Sequence, residues 1–473
     1  MKKKLLTLSV AGLVVLLVAS ICLAEIEFSV GGHFRARSYW ITNPDLVKGG
    51  PERSYTDQRL VLNPIVLKLS DFIQIKTRIR ALDYFWGHNG MPAKTWPEMI
   101  NWDGTAATDQ KESGTNNFQW DRAWAHIFLG KYGSVQIGRQ QTDLFHNYAV
   151  SEEDTAPRYH YITPVFSLPN DNSIMGGIFY QKNVEGDPDV VTGPAGNDDM
   201  AWCPWVLFMS PKLTIGYVFF QRIWAGVGPA GESGSMIFNE AMVNASLGPV
   251  DIKSEYTLCL GKAPGSYLDW KHNFSFFVDA GVPVEASPYI DRAAVVVGLF
   301  QGLKAPKAGE AYGSFASNED WIDEWKIDLI LWDQIYNEIF NAWIIRPKID
   351  FVIPDTKWGG FISACMSFAD QYARYQNGDD VYDPVRRWVD AGDDGIVGTD
   401  DDVYAWDAAP SGAVLTGGDE KTIGTEIDLG INYTLGPRQT IELVAGILMP
   451  GKYFAEDNRD TTLGVALKTH IRF

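Results

Sequence analysis

The sequence predicts an all-β chain: a transmembrane antiparallel up-and-down β-barrel with short periplasmic turns and long extracellular loops. Three observations predict it. Segments of about 8–12 residues alternate polar and apolar side chains with period two. Short Gly- and Pro-bearing turns alternate with long polar stretches, as the two ends of such a barrel require. Aromatic residues make up 13% of the chain, with 17 Trp, yet past residue 24 no apolar run reaches the roughly 20 residues of a spanning helix. A barrel in lipid reconciles these, because only every second residue needs to be apolar and aromatic girdles sit at both interfaces.

The first element is a secretory signal peptide at 1–24. Lys2, Lys3 and Lys4 form its basic end, Leu5 to Val18 its apolar run, and Cys22-Leu23-Ala24 its small-residue cleavage site. The barrel then occupies 25–473, with no further domain boundary. Removing the signal takes away three lysines, so 37 Lys+Arg face 59 Asp+Glu, a formal charge of −22. Such a balance argues against nucleic acid as a partner. Cys203, Cys259 and Cys365 remain, an odd number without a CxxC, and imply no disulfide framework.

The strands follow in order. In Gly32–Trp40, His33, Arg35, Arg37 and Tyr39 oppose Phe34, Ala36, Ser38 and Trp40. In Asp71–Ala81, Gln74, Lys76, Arg78 and Arg80 share one face, opposite Ile73, Ile75, Thr77, Ile79 and Ala81. Lys253, Glu255 and Thr257 share a face in Val250–Leu260, as do Glu426, Asp428 and Asn432 in Gly424–Tyr433. In the last segment, Gly464–Phe473, Lys468, His470 and Arg472 oppose Val465, Leu467, Ile471 and Phe473. Glu324–Phe340 fits either a helix face or a lipid-facing strand followed by a loop, and is read first as a strand. Tight turns are expected at 129–133, 247–249, 354–357 and 435–438. Long extracellular loops are expected at 87–117, 181–200, 225–235, 261–272, 304–320 and 376–421.

One loop carries a local motif. From Asp390 as position 1, Asp394 is position 5, Gly395 the turn glycine at 6 and Asp401 position 12. This is the spacing of a 12-residue calcium loop, although Gly392 stands where an acid is usual and Asp401 reaches less far than Glu. A Ca²⁺ ion in the 390–402 segment, held by Asp390, Asp394 and Asp401, is the expectation; its alternative is a solvated acidic turn. No cofactor is otherwise required. HExxH, GxSxG, P-loop and CxxCH patterns are absent and the seven His are scattered, so no enzyme activity is expected.

Several stretches resemble the alginate-export type of outer-membrane porin. They are Ile423-Gly424-Thr425-Glu426-Ile427-Asp428-Leu429, Tyr433-Thr434-Leu435, Leu443-Val444-Ala445-Gly446-Ile447 and Met449-Pro450-Gly451. Asn341–Pro347 looks like a strand entry of such porins, as do Gln58-Arg59-Leu60 before the second strand and Gly138-Arg139-Gln140 near a strand end. The terminal Thr469-His470-Ile471-Arg472-Phe473 is similar to the aromatic signal by which outer-membrane barrels meet their assembly machinery. The resemblance implies about 18 strands, a number the length agrees with and to which 16 is the alternative; it also implies a polyanionic or acidic-sugar solute and a monomer, with the homotrimer of general porins as the other expectation.

Closure sets the first strand beside the last. Arg35 and Arg37 then neighbour Lys468 and Arg472, with Lys76, Arg78 and Arg80 on the same wall. A narrow passage focuses such a field. The expectation is a passive channel in the Gram-negative outer membrane, among lipid and lipopolysaccharide, for small hydrophilic or anionic solutes such as sugars and organic acids. Glu255, Glu426, Asp428 and Glu442 line it too, and in a general pore they balance the cations as a transverse field. Two other readings compete. One is a structural or adhesive barrel plugged by its loops; the other is a secreted soluble all-β carbohydrate-binding protein.

Overall fold

Period-two alternation becomes strand after strand of a closed sheet. The computed structural model describes residues 27–44, 46, 48–50, 52–85, 118–140, 156–184, 198–225, 233–262, 269–301, 328–332, 339, 342–370, 374–377, 380–382, 387–390, 403–405, 414–416, 421–454 and 459–473. The signal peptide, and Asp394 and Asp401 of the calcium segment, lie outside the described residues. Asp390 ends a short strand, Arg387–Asp390, whose partner is Val403–Ala405.

Nineteen strand stretches form one sheet. Two of them, Ala156–Ile162 and Phe166–Leu168, pair in succession with the same neighbour and are one interrupted strand. The result is an 18-stranded barrel. Its strands are β1 Glu27–Ile41, β2 Arg53–Ser70, β3 Ile73–Phe85, β4 Phe118–Phe128, β5 Ser134–Gln140, β6 Ala156–Ile162, β7 Asn172–Val184, β8 Asp198–Met209 and β9 Leu213–Ala225. Then come β10 Gly234–Leu247, β11 Val250–Lys262, β12 Asp269–Pro283, β13 Ile290–Phe300, β14 Ala342–Val352, β15 Trp358–Ala369, β16 Thr422–Gly436, β17 Gln439–Pro450 and β18 Thr462–Arg472. Every pair of neighbours is antiparallel, and β1 pairs with both β2 and β18. At the seam Gly32 and Phe473 exchange both backbone hydrogen bonds, each 3.0 Å. Closure leaves no sheet edge, which is what hydrocarbon demands of a β-structure.

Every second connection is short: 71–72, 129–133, 169–171, 210–212, 248–249, 284–289, 353–357 and 437–438. The four tight turns expected from the sequence are among them. At 248–249 the chain reverses through Gly248 with φ +64°, a region glycine enters without steric cost. The long connections gather at the opposite end. Three are shorter than expected, because β7 runs to Val184 before β8 starts at Asp198, β10 already starts at Gly234, and β11 runs to Lys262 before β12 starts at Asp269.

Two sequence readings are corrected. Gln58-Arg59-Leu60 lies inside β2 rather than before it; the hydroxyls of Ser54 and Thr56 on the outward face disguise the strand's start. Ser38 and Thr56 satisfy each other there, their hydroxyls 2.8 Å apart. The strand expected in Glu324–Phe340 is likewise not found among its described residues. Residues 328–332 and Ile339 are instead buried. Leu329, Ile330, Leu331 and Trp332 are four large apolar residues in succession. A strand would turn half of them toward the lumen, so they bury together against the barrel's inner wall.

Candidate functional site

Residues paired across antiparallel strands share a face, and this sorts the whole wall. One face carries Ile345, Ile349, Ile362, Leu429, Leu443 and Leu467, all exposed. Exposed aromatics ring it at two levels. Trp40, Trp120, Tyr159, Trp202 and Trp343 stand toward the long connections; Phe72, Tyr132, Tyr289, Trp358 and Phe473 stand toward the short ones. An apolar band between two girdles is a lipid-facing exterior. The other face is therefore the lumen.

On that inner face β1 pairs with β18 as His33–Arg472, Arg35–His470 and Arg37–Lys468. On its other side β1 meets β2 as Arg35–Arg59 and Arg37–Asp57. Arg80 sits across from Val61, Lys76 from Trp124, and Arg78 from Arg122. The expected cations Arg35, Arg37, Lys76, Arg78, Arg80, Lys468 and Arg472 thus share one inner wall over β18, β1 and β3. Arg37 is ion-paired there: Nη2 lies 2.7 Å and Nε 3.0 Å from Asp57 Oδ2. Such a two-pronged pair fixes the guanidinium plane as well as its charge.

The wall extends beyond the expected residues. Arg59, Arg122, Arg158 and Arg222 are buried on the same inner face. Arg158 donates from Nε to Gln181 Oε1 at 2.5 Å and stacks 4.9 Å from the Phe179 ring. Arg346 and Lys348 stand on β14 beside Phe361. The alternation that placed Arg35 and Arg78 also marks Arg346, between outward Ile345 and Pro347. Arg158 had no such signal, because β6 has only seven residues, too few for a firm period.

The acids divide into distinct settings. Glu255 lies on β11 near Glu240 of β10, both buried, many strands from the seam. Glu442 pairs with Lys468 in register. Asp428 and Glu442 line a cavity of about 390 Å³ with Asp328, facing Arg35, Arg37, Arg346, Lys348 and Lys468. Glu426 has a different task. Its Oε1 accepts the backbone N–H of Leu329 (2.8 Å) and Ile330 (2.7 Å), and its Oε2 that of Leu331 (2.8 Å). The period-two pattern placed Glu426 on the inner face but carried no sign that a segment about 95 residues earlier would dock on it.

The docked segment belongs to a lumenal apolar cluster. Leu329, Ile330, Leu331, Trp332 and Ile339 pack with Tyr39, Ile41, Ile344, Val444, Leu448 and Ala466. The cluster occupies the long-connection side of the lumen, and the charged cavity lies on its short-turn side.

No family model matches the chain, and no curated protein matches it. Among solved structures it is similar to OccAB3 of Acinetobacter baumannii, with 8% identity, TM-score 0.48 and coverage of 94% of this chain and 99% of that one. It is also similar to Pseudomonas aeruginosa OpdK with vanillate, with 9% identity, TM-score 0.45 and coverage of 94% and 98%. A third is Pseudomonas aeruginosa OccK5 (OpdH), with 8% identity, TM-score 0.45 and the same coverage.

Proposed function

We propose that the chain is an outer-membrane porin, a passive diffusion channel that favours small hydrophilic or anionic solutes such as organic acids and acidic sugars. The observation that carries this reading is the inner wall. A barrel with an apolar exterior buries charged groups toward its axis only where water or solute shares the space. Here arginines and lysines from β18, β1, β2, β3, β4 and β14 converge on that space. They raise the local concentration of anions, and no turnover chemistry is needed. The resemblance of 423–451 to alginate-export porins agrees with an acidic solute.

Planar-bilayer recording tests the reading. The expected result is a conducting pore that passes Cl⁻ better than K⁺. Replacing Arg78→Glu with Arg80→Glu should lower the Cl⁻ to K⁺ permeability ratio by about threefold or more. Equal permeability, unmoved by the double replacement, overturns anion preference. The apolar cluster inside the lumen favours a second reading, a barrel plugged by its own chain; folded protein without conductance supports that one.

A further inference from the structure

We propose that Glu426 is a positioning residue that latches the inward segment 328–332 to the wall and thereby sets both the bore and the charge balance of the lumen; the bore and charge parts rest on the channel reading above. The segment is apolar in side chain and polar in backbone. Leu329, Ile330, Leu331 and Trp332 are each 2% exposed or less. At such a place an N–H without a partner costs more than an ordinary hydrogen bond returns. Three successive N–H groups converge on one carboxylate, and both of its oxygens are used. The next N–H, that of Trp332, is taken by Asp328 Oδ1 at 2.8 Å. The Trp332 indole N–H donates to Ser367 Oγ on β15 at 2.9 Å.

The wall beneath is shaped to receive the segment. Gly446 on β17 and Gly464 on β18 face each other in register. A methyl at Gly464 would lie 2.8 Å from Ile330 Cγ1 and 3.3 Å from Leu329 Cδ2. A methyl at Gly446 would collide with Asp428 Oδ1 and reach within 3.3 Å of Glu426 Oε1. Four adjacent strands, β15 to β18, therefore contribute one feature each: a hydroxyl, a carboxylate and two side-chain-free niches. An irregular segment lying against a charged lumen does not require such a socket merely to fold. The socket gives it a single seat.

The seat has consequences for passage. Docked, the segment brings Asp328 and Leu329 to the cavity wall, opposite Arg35, Arg37 and Lys468. Undocked, it takes a negative charge away from the cations and vacates its niche. Glu426→Gln is the sharp probe, because it exchanges one oxygen for NH₂. The amide oxygen still accepts from Leu329 and Ile330, but the NH₂ then meets the N–H of Leu331, donor against donor.

The test compares an Ile330→Cys protein with the same protein carrying Glu426→Gln, both folded in detergent as heat-modifiable barrels. Labelling by a small maleimide is read against the parent without the added cysteine, which corrects for Cys203, Cys259 and Cys365. Labelling at 330 should quicken about tenfold or more when the acceptor is lost. Gly464→Val, which leaves Glu426 intact and fills the niche, should quicken it too. If both folded variants label at the parent rate, the latch is overturned. In bilayers, Glu426→Gln without the added cysteine should raise unitary conductance about twofold and shift the reversal potential toward Cl⁻. Faster labelling with unchanged conductance and selectivity overturns the bore- and charge-setting role. A parent that never conducts would instead count against the channel reading, and the labelling comparison would still decide the latch.

Discussion

At the scale of single residues, the lumen is a study in how charge is tolerated when it is half enclosed. Arg37 and Asp57 have side chains only 9% and 12% exposed. Removing one member of such a pair leaves the other charge poorly compensated, which matters more than the attraction lost. Asp57→Asn should therefore lower the stability of the folded barrel by about 3 kcal/mol, seen as an earlier loss of the heat-modifiable band in denaturant. The same change should raise anion permeability, because Arg37 loses its local counter-charge. Residue by residue, the sequence announced the polarity of a face and not its partners. Arg35, Arg37, Lys76, Arg78, Arg80, Lys468 and Arg472 follow from alternation alone. Asp57 as the partner of Arg37 does not, since it depends on the register between β1 and β2. Glu426 is the sharper case: its distant partners lie in a segment whose apolar run reads first as a strand.

At the scale of elements, each strand is a two-sided object whose faces obey different rules. Leu443 and Asn432 show the contrast on neighbouring strands, Leu443 outward on β17 and Asn432 at the charged cavity on β16. Leu443→Arg should cost about 2–4 kcal/mol, as a charge on the lipid face near mid-membrane does, and reduce the yield of barrel folded into vesicles. Asn432→Lys, one pair away in the ladder but facing inward, should leave that yield unchanged and alter selectivity only. The loop elements ask a different question. The short strands Arg387–Asp390 and Val403–Ala405 pair with each other on either side of 391–402. If that segment takes Ca²⁺, protease cleavage within it should slow when millimolar Ca²⁺ is added, and Asp394→Ala should abolish the difference. Strands were legible where an apolar lipid face alternated with charged residues, as in β1, β3, β11, β16 and β18. They were harder to see where hydroxyls served that face, as at Ser54 and Thr56, because Ser and Thr also mark turns.

At the scale of the whole molecule, architecture followed from arithmetic and symmetry of connection. The alternation of short and long links and the terminal strand pointed to a closed antiparallel sheet, the resemblance to alginate-export porins implied about 18 strands, and the sheet has 18. What they did not give was the content of the interior, where the inward segment and four strands build a joint feature. Such features depend on contacts between positions far apart in the chain, and period-two alternation is a purely local signal. Closure also governs how the molecule comes apart. An open sheet frays from its outer strands, one ladder at a time. A ring has no outer strand, so two ladders must give way before any strand is released, and the loss of structure is abrupt. The ladders are unequal, however. β5 and β6 have seven residues each, whereas β1 has 15 and β2 has 18. Amide hydrogen exchange should accordingly be fastest along β5 and β6 and slowest along β1 and β2, and uniform exchange around the ring would refute this ordering. The first and last barrel strands meet along nine paired residues, against seven between β5 and β6, so the wall's natural breaking point lies a few strands from its seam.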